Sequence, residues 1–379
     1  MRKCLYILAA ALCAGSCIYP FKTSLESEEV ARTLVVNGNI LVGGISTVQL
    51  SYVLPLDRSV KGTVSGYAWI EDDLGNKYLP AGGASTRGDF LYIPTDSGQA
   101  LNASSFRAVV EADGETYTSE WTTPDPAPVI TDIHFEADDY DVTVMVDLET
   151  GLENPGYLGF LYEETWEFHA DFECVYDIDP KTWRITERTT PYPYYWCYRT
   201  RTPMDIVLAD VSHLEAGAIR NVPVWSFPRS DKRNLKKYSI LVKAFALSAE
   251  AYRYNRQLQE VSDQGGDLFS PDPGYMEGNL VCSSDPGKDV MGLVLSGRVS
   301  SRRTFLNSRF SRYKNPEDTP ALGEVKSRED MPIFYYEMDF RPVKYVTTED
   351  DSFIGWGHLR CFDCIADGGT QVKPDFWDD

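Results

Sequence analysis

The 379 residues give room for two or three domains, each long enough for its own hydrophobic core, so a small disulfide-stapled scaffold is excluded. Lys and Arg number 36 against 57 Asp and Glu, and this net charge of -21 argues against nucleic acid as a partner. Apolar residues at 43%, with 13% aromatic, exclude a disordered chain.

The chain opens on a targeting pattern. Arg2 and Lys3 form a positive start, and the apolar run from Cys4 to Ala14 suits a signal-peptide core but is too short to cross roughly 30 Å of hydrocarbon. Ala14-Gly15-Ser16 then place small residues directly before Cys17, as a lipoprotein signal peptidase requires, because its pocket admits only small side chains beside the bond it cuts. Residues 1–16 are expected to be removed and Cys17 lipidated; Cys13, preceded by Leu12, fits less well. The alternative is an ordinary secretory signal with Cys17 as a later disulfide partner. Residues 17–33 are polar and read as a tether. No other segment is long and apolar enough to span a bilayer, so membrane attachment is expected through the lipid anchor only. Loss of Arg2 and Lys3 would leave 34 basic against 57 acidic residues, a charge of -23.

From Leu34 the pattern has period two. Val48, Leu50 and Tyr52 alternate with Thr47, Gln49 and Ser51, and Phe106, Ala108 and Val110 alternate with Arg107 and Glu111, as strands with one buried face require. Leu74-Gly75-Asn76 and Asp113-Gly114 supply hairpin turns. Residues 34–127 therefore read as an immunoglobulin-like β-sandwich, ending at Pro124-Asp125-Pro126-Ala127-Pro128, which cannot be a central strand.

Residues 128–379 read as a larger β-rich second domain. Val142, Val144, Val146 and Leu148 alternate, an aromatic-dense stretch follows from Tyr157, and residues 238–247 form a strong strand. Ser248 then offers an N-cap to a helix over about 248–263, with Ala251, Tyr254, Leu258 and Val261 on one face and Gly265-Gly266 as its stop. That face is expected to dock on a sheet; a partner-binding amphipathic helix is the alternative. Residues 308–332 are polar and read as a surface loop. The fold class is thus mostly β, with one docked helix.

The remaining cysteines are Cys174, Cys197, Cys282, Cys361 and Cys364, an odd number whose connectivity stays open; Cys174 with Cys197 across a hairpin is the preferred pair. Cys361-Phe362-Asp363-Cys364 has the spacing of a redox dithiol or half a zinc site, but it lies in a Gly-rich tail and His358 alone does not complete a ligand set. A structural disulfide role is the favoured reading, and no metal is expected. The chain has no G-x-S-x-G elbow and no Gly-rich phosphate loop, so neither a catalytic residue nor a cofactor is assigned. The acidic runs at Glu71-Asp72-Asp73, Asp138-Asp139-Tyr140-Asp141 and Glu349-Asp350-Asp351 are best read as solvated turns, because 57 acidic residues make close pairs inevitable. Aromatic rings between Tyr157 and Trp225 are more suggestive: Trp166, Tyr194, Tyr195 and Trp196 would form a ligand platform where exposed and a core where buried. The core is the more economical of the two.

Several segments together carry a resemblance. The small-residue cleavage site followed by Cys17-Ile18-Tyr19-Pro20-Phe21, then LVVNGNI at 34–40, YSILVKAFALSAEAYRY from Tyr238, and GNLVCSSDPGKDVMGLVLSGRVSSRRTFL at 278–306 resemble the Bacteroidota lipoproteins of the domain-of-unknown-function 4249 family. The ending C-F-D-C-x-x-x-G-G-T-x-x-K-P-D-F-W, Cys361 to Trp377, is the most specific part of that likeness. Tyr19 stands where an acidic residue is common, and residues 308–350 lack a cysteine that many members carry, which would leave one of the five here without its mate.

The resemblance implies an outer-membrane, lipid-anchored protein on the cell surface, with the periplasmic face as the alternative. It implies partnership with a TonB-dependent SusC/SusD-like transporter in nutrient uptake, and it assigns no catalytic residue. The expected function is a non-catalytic accessory that binds a peptide or glycan ligand; an envelope hydrolase using an acidic pair and a structural or adhesive surface protein are the alternatives.

Overall fold

The computed structural model describes residues 33–53, 64–81, 86–87, 90–151, 156–214, 217–263, 278–314, 322–347 and 352–377. The signal segment, Cys17, the tether through residue 32, the Gly265-Gly266 stop and the run Glu349-Asp350-Asp351 lie outside the described residues.

Eight strands come first: β1 (Leu34–Val42), β2 (Ile45–Tyr52), β3 (Ser65–Asp72), β4 (Lys77–Tyr78), β5 (Thr86–Arg87), β6 (Phe90–Pro94), β7 (Phe106–Ala112) and β8 (Glu115–Ser119). Their alternation has the physical meaning expected of it. Val36, Ile40, Val48, Leu50, Ala68, Ile70, Ala108 and Val110 are all fully buried and pack a sheet built on β1, β2 and β6 against one built on β8, β7, β3 and β4. Asp113 and Gly114 both take positive φ, 54° and 80°, which matches the twist of the β7–β8 hairpin they close. A five-residue helix, α1 (Gly98–Asn102), capped by the Ser97 hydroxyl accepting from the Ala100 amide at 3.3 Å, interrupts the strands.

The second group comprises β9 (Val129–Ala137), β10 (Asp141–Glu149), β11 (Tyr157–His169), β12 (Tyr176–Asp179), β13 (Arg184–Glu187), β14 (Trp196–Arg201), β15 (Val207–Asp210), β16 (Ala218–Pro228) and β17 (Lys237–Leu247). Val142, Val144, Val146 and Leu148 of β10 are fully buried, and sheet β16-β10-β9 packs through them on Leu158, Phe160, Ile240 and Val242 of β11 and β17. Strands β12 and β13 form a separate hairpin.

Helix α2 (Ala249–Asp263) starts as expected, with the Ser248 hydroxyl accepting from the Ala251 amide at 3.1 Å. Ala251 and Tyr254 are buried, and with Leu258 they pack on Leu41, Phe245, Leu293 and Leu295. The Tyr254 hydroxyl donates to Asn37 Oδ1 at 2.9 Å. The helix therefore fills the seam between the two sandwich-like units rather than offering this face to a partner.

Beyond the helix the chain returns to the first unit. Strand β18 (Leu280–Cys282) pairs antiparallel with β8, while β19 (Val290–Met291) and β20 (Val294–Arg298) run parallel to β1. The proline-rich stretch 124–128 ends the first run of strands, yet the first unit is completed by residues 280–298. Strand β21 (Ser300–Asn307) then pairs with β17 in the second unit. Parallel pairing needs a long crossover, and a local sequence pattern carries no trace of it.

The final elements are β22 (Gly323–Glu324), α3 (Met331–Tyr336), β23 (Phe340–Thr347) and β24 (Ser352–His358). The three strands make a small sheet over a third core of Phe172, Cys174, Leu322, Val343 and Phe362. The segment 308–332, expected to be a loop, thus contains β22 and the start of α3, and its residues 315–321 lie outside the described residues. No helix among the described residues is long and apolar enough to cross a membrane.

Candidate functional site

The aromatic strip forms where β11 ends and β14 begins. Their antiparallel register sets His169 opposite Trp196 and Phe168 opposite Cys197, so odd and even positions part to opposite faces. Phe168 and Cys197 enter the core, whereas Trp196 stays 40% exposed and Tyr194, just before the strand, 39% exposed. His169 stacks on Tyr195 with ring centroids 4.9 Å apart, and it makes T-shaped contacts with Trp196 at 4.9 Å and Tyr313 at 6.1 Å. Lys236 Nζ stands 5.0 Å from the Trp196 ring centroid and is ion-paired with Glu167.

Of the four platform residues, two are exposed, Trp196 and Tyr194. Tyr195 is partly buried against the core. Trp166 is corrected: it is 4% exposed, a core residue with the Arg233 guanidinium 4.4 Å over its ring. Strand β11 puts Trp166 on the same face as Glu164 and Phe168, both fully buried, and period two gives it no route to the surface. Lys236, His169 and Tyr313 complete the surface from other segments; their isolation in sequence gave no signal of the meeting.

The electrostatics favour binding over proton transfer. Burial, aided by nearby Lys232, holds His169 below its usual range, so it is neutral at neutral pH while Nδ1 donates to the Ala170 carbonyl at 2.6 Å. Burial and the charge of Asp171 push the Tyr313 phenol up to about 12. A ligand at Trp196 thus meets an indole, an ammonium and neutral aromatic rings, a set suited to stacking on a sugar or peptide face.

The C-terminal tail buttresses this strip. Cys364 forms a disulfide with Cys197, and its amide donates to the Tyr194 carbonyl at 2.9 Å. Asp363 accepts from the Tyr192 hydroxyl at 2.7 Å and from the Ile365 and Ala366 amides. Thr370 bridges to Tyr198 through two backbone hydrogen bonds, and Trp377 packs edge-on to Tyr198 and Phe305. A Cβ at Gly369 would come within 2.7 Å of both Cys197 Cβ and the Cys364 carbonyl oxygen, so only glycine fits there. The Cys361 to Trp377 signature encodes this clasp.

The expected Cys174–Cys197 pair is therefore corrected. In the β11–β14 register Phe168, not Cys174, faces Cys197; Cys174 lies past the end of β11, buried in the third core, with Sγ 3.4 Å from both the Tyr176 and the Pro342 carbonyl oxygens, alternative acceptors for its one S–H. Cys361 and Cys364 do not pair with each other, and Cys174, Cys282 and Cys361 are free thiols. Burial pushes the thiols of Cys174 and Cys361 up, the opposite of what a redox-active cysteine needs.

The acidic runs that are described act as turns and ion pairs. Asp138 accepts from the Tyr140 and Asp141 amides at 2.7 and 2.8 Å. Asp72 takes the Leu74 and Asn76 amides and the Tyr78 hydroxyl. Burial would raise the Glu71 carboxyl, but hydrogen bonds from Trp69, Arg107 and Lys77 outweigh it and hold the group at about 2.

No curated protein matches this chain. A solved structure described as "Complete structure of manganese lipoxygenase of Gaeumannomyces graminis and partial structure of zonadhesin of Komagataella pastoris" aligns with 58% of this chain and 90% of its own, at 11% identity and a TM-score of 0.17, a likeness too low to argue from. The family model of the domain of unknown function DUF4249 matches residues 18–303, stopping short of the C-terminal clasp, and the chain belongs to that family.

Proposed function

We propose that the protein is an outer-membrane lipoprotein of Bacteroidota, lipidated at Cys17 and displayed at the cell surface, which binds a glycan or peptide ligand for a SusC/SusD-like TonB-dependent transporter and performs no chemistry itself. The observation that carries the binding part is the half-exposed Trp196, set between Lys236 and His169 on strands held by a disulfide and a packed tail. Rigid aromatic surface keeps the entropic cost of recognition low, because the ring is already oriented before the ligand arrives. A hydrolase reading needs a carboxyl raised toward neutrality; Glu71, Asp72 and Asp138 are all shifted the other way.

The anchor and the partner have separate tests. Labelled palmitate should enter the full chain and not Cys17→Ala. Mild-detergent purification of the full chain should bring down a SusC/SusD-like pair; the lipoprotein coming down alone would overturn the transporter claim. Protease shaving of whole cells should clip the protein, and protection until the envelope is opened would move it to the periplasmic face.

A further inference from the structure

A concavity lies away from Trp196, between the β12–β13 hairpin, α3 and β23. It has a volume of about 150 Å³, with Tyr192, Tyr335, Leu359 and Phe362 among its walls and two guanidinium groups, Arg188 and Arg341. The two cations are in different states. Arg188 is ion-paired with Asp177, donates from Nε to the Tyr176 carbonyl at 3.2 Å and lies 4.8 Å over the Tyr192 ring. Arg341 lies 3.5 Å over the Tyr335 ring centroid, and only its Nη1 is used, donating at 2.8 Å to the Tyr335 and Phe340 carbonyls. Among the described residues no carboxylate pairs with Arg341 and no acceptor meets its Nε or Nη2.

We infer that this concavity is a binding site for a small organic carboxylate on a short apolar stem, held by Arg341. A guanidinium offers five donors in a planar fork, and its natural complement is a carboxylate. The stack on Tyr335 and the two carbonyl bonds fix the plane of that fork in advance, so little side-chain entropy is lost on binding. The size limits the guest, since a cavity of about 150 Å³ holds one benzene-sized molecule. A carboxylate and a leucine-sized stem fit inside, with an acyl group on the amine left at the open mouth; a whole disaccharide does not. The apolar surface a guest can touch, on Ile178, Leu359 and the Tyr335 ring, favours a hydrocarbon stem over a hydroxylated one. Asp177 neutralises Arg188, and the neighbouring Asp363 is taken up by the Tyr192 hydroxyl and two amides, which leaves Arg341 as the guanidinium of the concavity with donors to spare. The distant charges of this acidic chain repel an anion only weakly, because screening at physiological salt sets in beyond about 8 Å. The C-terminus of a peptide ending in an apolar residue has this chemistry, and so in part does a uronic acid.

This inference is independent of the Trp196 surface, and one set of titrations separates the two. By NMR or calorimetry, N-acetyl-leucine should bind the full chain while its C-terminal amide binds at least tenfold more weakly; equal binding of acid and amide would overturn the proposal with no variant needed. Glucuronate should also bind at least tenfold more weakly than N-acetyl-leucine, and the reverse order would overturn the apolar stem. Arg341→Gln should remove binding of N-acetyl-leucine with the thermal transition retained, and Arg341→Lys should restore only part of it. Trp196→Ala should leave N-acetyl-leucine binding unchanged. If Trp196→Ala abolishes it and Arg341→Gln does not, the carboxylate site is wrong and the Trp196 surface stands.

Discussion

The two sandwich-like units solve the same packing problem with different cores. The first is aliphatic at its centre, with Val36, Ile40, Leu50, Ile70 and Val110, and its buried carboxylate Asp72 sits at a turn, capping amides. The second has a charge in its core. Glu164 is fully buried, meets Arg233 through two hydrogen bonds of 2.9 Å, lies 3.5 Å from Arg201 and accepts from the Tyr238 hydroxyl at 3.1 Å. Arg233 in turn covers Trp166. An apolar core is satisfied by any close packing, whereas a buried ion pair demands one arrangement of its partners. In the second unit that demand falls on β11, the strand whose far end carries His169 and the exposed aromatic strip.

The sharpest way to break this contrast is to remove the buried charge. Glu164→Gln takes from Arg233 its fully buried counter-ion and leaves only the partly exposed Asp231 at 2.9 Å, and it should cost about 3 kcal/mol of stability in urea unfolding, the low end for a broken buried pair. Ile70→Val in the first unit should cost about 0.5–1.5 kcal/mol. Similar losses would mean that Glu164 is no more constrained than an aliphatic side chain.

The disulfide gives the next largest effect. Cys197 and Cys364 are 167 residues apart in sequence, and the Cys197→Ser/Cys364→Ser double variant should lose about 2–4 kcal/mol. Limited proteolysis should then cut first in the residues after 364, because their attachment to β14 depends on the clasp. Cleavage in the first unit instead would show that the tail holds without the bond.

The same contrast governs how much could be read from sequence. Val48-Leu50-Tyr52 and Val142 to Leu148 alternate because each strand has one face on an apolar core, and that pattern is local. Ser248 was legible as an N-cap for the same reason. Return of residues 280–298 to the first unit, pairing of Cys197 with Cys364 and assembly of His169, Tyr313 and Lys236 around Trp196 all join distant positions. Nothing within ten residues of any of them marks the partner. Trp166 and Trp196 look alike as letters in an aromatic stretch; register alone sends one into the core and leaves the other at the surface.

Glu71 offers a smaller, pH-dependent effect in the first unit. Its folded pKa of about 2 lies below the unfolded value of about 4.3. The stability it contributes is therefore present above pH 4.3 and lost as the pH falls through 2. Glu71→Gln should cost about 1–2 kcal/mol at pH 7, discounted for partial solvent screening. The gap between wild type and variant should close as acid is added, and a gap constant from pH 7 to 2 would show that the hydrogen bonds, not the charge, matter.

Trp196→Ala should have the least effect on stability and the greatest on recognition. The ring is 40% exposed, makes T-shaped contacts with His169 and Tyr195 and lies beside the Lys236 ammonium, contacts worth about 0.5–1.5 kcal/mol for an aromatic pair and about 0.5–1 for the cation. Some of that returns as water hydrates the freed groups, so a net loss near 0.5 kcal/mol and a melting shift of about 1–2 °C are expected. Binding to a glycan or peptide library should meanwhile fall at least tenfold, with Trp196→Phe recovering most of it because the stacking face is restored. A variant that loses stability and keeps binding would place Trp196 among the packing residues, on the same side of the comparison as Trp166.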